Sequence, residues 1–207
     1  MPAYNESVFI NCPFDDAYVR TFRALVFAVH DSGFFARCAM EADNAGEVRI
    51  QKIARIIREC RHGIHDLSRT ELDPAINLPR FNMPLELGIF LGAQMVGAGK
   101  QKAKNCLVLD VEKYRYRNFC SDIAGQDIKA HAGDPLRALA AARDWLGSFS
   151  LANGMGTIPG PKMMRERYTA FEAQLPVQCA GVHLEPETLG FLELRTLVEE
   201  WLDQNPV

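Results

Sequence analysis

Two carboxylates stand where a charge is costly. Asp66 closes the apolar run Gly63-Ile64-His65-Asp66-Leu67, and Glu86 is the one formal charge between Met83 and Gly99. Its neighbours are Leu85, Leu87, Ile89, Phe90 and Leu91. An acid on a nearly all-apolar helix needs a partner or a task. In a partly dry cleft an ionised carboxylate can stabilise or capture an oxocarbenium ion, which is the chemistry of glycosyl transfer. The plain alternative is a helix-capping acid. With Pro84 as the first helical residue, Glu86 would take the place of a capping-box acid, and the helix N-terminus would keep it ionised. The apolar surroundings favour the functional reading.

Asp66 by itself reads as a brace for the following loop through Ser68 or Arg69. Paired with Glu86, it becomes a candidate for orienting a ribose or a base. Arg80 could hold a phosphate bidentately or pair with Asp73 or Glu71, and the two readings weigh equally. Asn82 reads first as a turn or capping residue and second as a ligand contact.

The elements that must position these groups follow from hydrophobic period. Strands are expected over 7–11, 34–40, 62–67, 104–110 and 128–131, and helices over 16–32, 47–60, 83–97 and from Pro135 to about Trp145. The basic residues Arg49, Lys52, Arg55 and Arg58 of the second helix read as a solvated face. The segment 68–81 is a loop, and 147–161, with four glycines and two prolines, reads as a linker. Helical patterns follow over 162–174 and about 187–202.

Alternating strands and helices, with strands that do not alternate in polarity, imply a parallel sheet covered on both faces. The expected fold is therefore α/β: a doubly wound, mainly parallel sheet of about five strands over residues 1–150. A linker and helical C-terminal appendage would occupy 151–207. Ligands of such sheets bind at the carboxyl ends of the strands. This rule gathers Asn11 to Asp16, Glu41, Asp43, Asp66 to Arg69 and Asp110, with Arg80, Asn82 and Glu86 arriving at the same edge.

Composition and absences narrow the function. With 207 residues, 48% hydrophobic and 24% charged, the chain is ordinary for a globular protein, and a net charge of −3 gives no drive toward nucleic acid or an anionic membrane. No signal segment or membrane span is visible, so a cytoplasmic protein is expected. The six cysteines are scattered without zinc spacing, which predicts neither a metal site nor disulfides. No G-x-G-x-x-G, P-loop or G-x-S-x-G motif is present, which disfavours dehydrogenase, P-loop NTPase and serine hydrolase chemistry. Cys12 at a strand end is better read as a buried small residue than as a nucleophile. His62 and His65 fall on opposite strand faces and make a poor metal pair.

Taken together, Asn11-Cys12-Pro13-Phe14, a third strand ending in Asp66 and a helix opening with Glu86-Leu87-Gly88 resemble the superfamily of nucleoside 2-deoxyribosyltransferases and TIR domains. The phrases from Phe9 to Asp15 and from Gly63 to Gly92 are also similar to bacterial TIR-like proteins. The upstream Trp-Cys pair of TIR enzymes and the Gly-Thr pair of the transferases are missing.

The resemblance implies a flavodoxin-like or TIR-like fold and cleavage of an N-glycosidic bond in a nucleotide such as NAD, as bacterial TIR-like enzymes do in antiphage defence. Glu86 would be the nucleophile or oxocarbenium stabiliser, and Asp66 would orient the ribose. Pro13, Phe14, Asp15 and Asn82 would bind substrate, with Phe14 stacked on a base, and Arg80 would hold phosphate. No cofactor would be needed, because the bond broken lies in the substrate. A homo-oligomer or a defence-system partner protein would fit the same resemblance. The alternatives are a non-catalytic nucleotide-sensing or protein-interaction module and a nucleoside deoxyribosyltransferase.

Overall fold

The computed structural model describes residues 2–41, 46–72 and 77–207. Five strands, β1 (Ser7–Asn11), β2 (Phe35–Cys38), β3 (His62–Asp66), β4 (Asn105–Asp110) and β5 (Lys129–Ala130), form one parallel sheet in the order β2-β1-β3-β4-β5. Helices α1 (Val19–Asp31), α2 (Arg49–Glu59), α3 (Asn82–Val96), α4 (Pro135–Ala152), α5 (Pro161–Gly181) and α6 (Phe191–Gln204) complete the chain. This is the doubly wound α/β fold expected from the sequence. Its strand order reverses between β1 and β3, so the crevice for a ligand opens at their carboxyl ends.

The period-2 geometry of the strands divides the core. Val8 and Ile10 of β1, Ile64 of β3, and Leu107 and Leu109 of β4 face α1 and α4. Phe9 faces α2 and α3 with Ile53, Ile56, Ile57 and Phe90. Each β1 residue is therefore buried, which explains a strand without polar alternation. His62 packs on Phe149 of α4, with ring centroids 4.4 Å apart, while His65 packs on Phe90 of α3 at 4.9 Å. The two histidines occupy opposite faces, as their spacing requires.

Gly63 sets the seat of α3. A Cβ there would lie 2.8 Å from the Phe90 ring and 2.7 Å from His65 Nε2, so only glycine lets α3 approach β3 this closely. At the other end of the layer, Lys104 Nζ donates to the carbonyls of Ile57 and Cys60, closing the C-terminal end of α2 with a buried cation.

Several boundaries differ from expectation, each for a local reason. Helix α4 continues through the buried Gly147 to Ala152, leaving only 153–160 as the connection to α5. Helix α5 runs through Pro176 to Gly181. Helix α6 starts at Phe191, where Glu193 accepts from the Gly190 N–H at 2.8 Å. Helix α3 starts at Asn82, so Pro84 is its third residue, and Glu86 is not in the first turn.

The C-terminal helices join the main core: Phe27 of α1 packs against Tyr168 and Phe171 of α5 and Trp201 of α6 at 5.4–5.7 Å. Leu194, Leu197, Val198 and Trp201 are all buried there. Among the described residues, no helix is long and apolar enough to cross a membrane.

Candidate functional site

At the β1/β3 switch point lies a cleft of about 190 Å³. Pro13, Phe14 and Asp15 form one wall, and Asn82, Met83 and Glu86 of α3 form another. Arg49, Arg69 and Arg80 stand at its mouth. A neighbouring cavity of about 380 Å³ shares Asp15, Arg69 and Arg80, and a third, of about 200 Å³, shares Ala17, Arg69 and Glu71 with the second. The three make one groove along the carboxyl edge of the sheet. A larger cavity, about 640 Å³, opens beside β4 and α4 and includes none of these residues.

Glu86 is 5% exposed and forms no hydrogen bond or ion pair with another described residue. Burial raises its pKa to about 7, with the Arg49 charge pulling the other way. Two expectations are thereby corrected. Glu86 does not complete a capping box, since it is the fifth helical residue, and the helix terminus does not hold it firmly ionised. Desolvation outweighs the dipole, because the carboxylate lies beyond the first turn where that field acts.

Asp66 has a different environment from the one expected. It is fully buried and does not line the cleft. Its Oδ1 accepts from the Ser68 N–H at 2.8 Å, and Oδ2 accepts from the Tyr18 hydroxyl and from His131 Nε2 at 3.0 Å. Burial alone would raise its pKa, but the hydrogen bonds and charge of His131, with those of Ser68 and Tyr18, hold it below the usual value. Asp66 therefore braces the loop after β3, and a ribose in the cleft does not meet it directly.

Ser68, His131 and Asp66 invite comparison with a hydrolase triad, and the geometry excludes it. His131 Nε2 lies 2.8 Å from Ser68 Oγ and 3.0 Å from Asp66, while Nδ1 accepts from the Gly133 N–H at 3.1 Å. A relay needs the acid on one ring nitrogen and the serine on the other. Here Nε2 faces both Ser68 and Asp66, so the acid does not sit behind the ring to orient it as a base for the serine.

The other predicted residues divide in the same way. Asp15 pairs with Arg69 at 2.9 Å and so fixes that guanidinium at the groove. Phe14 is 38% exposed and packs edge-on against Phe22. Asn82 opens α3 at the cleft, and the cap position is Phe81, so its capping role is corrected. Arg80 lines two of the cavities. Of its expected partners, Glu71 lies 3.4 Å from Arg115, and Asp73 lies outside the described residues, as does Asp43. Glu41 is engaged by Arg37, and Asp110 by Arg115 at 2.6 Å.

Arg115 also donates to the Leu67 carbonyl at 2.6 Å and to Thr70 Oγ1 at 3.0 Å, pinning the segment that carries Arg69. Cys12 is buried, which pushes its thiol pKa well up and leaves it unreactive.

Arg49 is the residue that sequence reasoning misplaced. Assigned to a solvated face, it is the first residue of α2 and reaches the cleft. The rule that brings Glu86 to the edge, position at the start of a helix following a strand, applies equally to Arg49. His131 was reachable in the same way, since it directly follows β5. Among the described residues no cluster of His, Cys, Asp or Glu could hold a metal ion. Comparison with family models, curated proteins and solved structures finds no match.

Proposed function

We propose that this chain cleaves the N-glycosidic bond of a ribosyl nucleotide, NAD or a simpler one, with Glu86 as the group that meets the anomeric carbon. The observation that carries the reading is a buried carboxyl without a described hydrogen-bond or ion-pair partner, set in a cleft whose mouth holds Arg49, Arg69 and Arg80. Guanidinium groups match phosphate oxygens bidentately. A carboxylate at the closed end matches the positive charge that develops on a ribosyl ring.

In this mechanism the C1′–N bond breaks and its electron pair leaves with the base. The oxocarbenium ion left at C1′ is stabilised or captured by the Glu86 carboxylate. Water then adds its lone pair to C1′, displacing the Glu86 carboxylate where it has bonded there, and its proton passes to that carboxylate. A pKa near 7 leaves both forms of Glu86 available at neutral pH, which suits a group that stabilises a cation and then takes a proton. The bond broken is in the substrate, so the proposal requires no cofactor. The resemblance to TIR domains and deoxyribosyltransferases points the same way and extends it to antiphage defence. An assembly or partner protein would belong to that setting.

The test is incubation of the pure protein with NAD and a panel of nucleotides and nucleosides, with free base measured by chromatography. Release of nicotinamide or base supports the reading, and its complete absence with every substrate rejects it. The engagement of Asp66 by three donors and of Asp15 by Arg69 favours a second reading, because among the described residues it leaves Glu86 as the one cleft carboxyl not already engaged. On that reading the cleft binds a nucleotide as a signal without turnover.

A further inference from the structure

Asn11, the last residue of β1, is 2% exposed and directs its amide nitrogen inward. Nδ2 donates to the Met83 carbonyl at 2.9 Å and to His65 Nδ1 at 3.1 Å. The Met83 carbonyl can only accept, so the nitrogen must face it, and the amide cannot turn over without opposing two oxygens. Both Nδ2 protons are spent, which fixes the direction of Oδ1. That oxygen meets no donor from a described residue, yet it is not among the sealed buried atoms. The opening that Asn11 borders is the cleft lined by Glu86. Met83 lies three residues before Glu86 on α3, so the amide and the carboxyl stand about one helical turn apart.

A nearly buried acceptor with a fixed orientation and an empty lone pair is satisfied by a donor on whatever fills the cleft. We infer that Asn11 is a specificity-determining residue whose Oδ1 accepts a hydrogen bond from a sugar hydroxyl of the bound nucleotide. The inference rests on the ribosyl reading above and narrows it to ribonucleotides over their deoxy counterparts. With C1′ at Glu86, the donors nearest the cleft floor are the hydroxyls of the sugar itself. The base leaves toward the Phe14 wall. A site built to bond a hydroxyl disfavours the analogue that lacks it, because its own acceptor is then left unpaired.

The experiment measures binding of adenosine, guanosine, cytidine and uridine 5′-monophosphates to the intact chain, against their 2′-deoxy and 3′-deoxy forms. For any ribonucleotide that binds, at least one deoxy form should bind more weakly by roughly 10- to 100-fold. In Asn11→Ala that ratio should fall toward about 1, a change that a merely structural role would not produce. A folded Asn11→Ala that keeps the full discrimination overturns the assignment to Asn11, and Asn11→Ser serves in its place if Asn11→Ala does not fold. Equal binding of ribo and deoxy forms overturns the inference and leaves the ribosyl reading standing. Failure of every monophosphate to bind overturns the inference, while the ribosyl reading is decided by release of base from NAD and the wider panel.

Discussion

Glu86 and Asp66 are the same functional group to within one methylene, and their surroundings send them in opposite directions. Glu86 is desolvated without a donor and its pKa rises to about 7. Asp66 is equally buried, but three donors outweigh its desolvation. For Glu86 the folded state binds more protons than the unfolded chain between the ordinary carboxylate range and pH 7. Stability therefore falls as pH rises through that window. Glu86→Gln removes the buried charge and should stabilise the protein at pH 8 by on the order of 2 kcal/mol, with the gain vanishing toward pH 5. Thermal melts at the two pH values check this, and a Gln variant less stable at pH 8 would restore the capping role.

Asp66→Asn should instead destabilise by roughly 2–4 kcal/mol at pH 7, because an amide group then faces donors inside the core. The lowered pKa of Asp66 means that its contribution is present above the ordinary carboxylate range. It is lost as pH falls through the folded-state value. Chemical denaturation at pH 7 and at pH 3 would show the difference, and a neutral Asp66→Asn at pH 7 would contradict it. The sequence placed both acids at the sheet edge. It could not tell which was consumed, because Tyr18 and His131 reach Asp66 only through the fold.

At the scale of elements, the site depends on two anchors outside the cleft. Gly63 lets Phe90 and hence α3 settle on β3, and Arg115 ties the Leu67 to Thr70 segment to the end of β4. Arg115→Ala should weaken nucleotide binding by roughly tenfold without touching ligand, since Arg69 would lose its fixed approach. Titration of the same nucleotide into both proteins tests this, and unchanged affinity would remove Arg115 from positioning. The strands and helices themselves were legible because burial on both faces and helical period are strong signals. The end of α4 was not, since Gly147 is tolerated in a helix whose glycine packs against Ile158. The start of α3 was misjudged by two residues, enough to move Glu86 out of the first turn and change its electrostatics. Arg49 was misread because its own helix is amphipathic and only the start of α2 meets the groove.

For the whole molecule, the helices of the C-terminal appendage form a layer that shares the core of α1. Phe171, Leu175, Val198 and Trp201 are 3% exposed or less, and the aromatic contacts of Phe27 are made by α5 and α6. Deleting 187–207 would uncover this apolar surface, at about 25 cal/mol per Å². The truncated chain should be insoluble or unfolded by circular dichroism. A soluble, folded truncation would show that α6 is dispensable to the core.

The central claim is that Glu86 acts on a ribosyl carbon, and the most direct measurement is single-turnover release of base by Glu86→Gln beside the unaltered protein. The account predicts a folded variant that still binds nucleotide and releases base more slowly by roughly 10²-fold or more. In the unaltered protein the rate should rise with pH through about 7, as the carboxylate forms. Equal release by a folded Glu86→Gln variant would contradict the account.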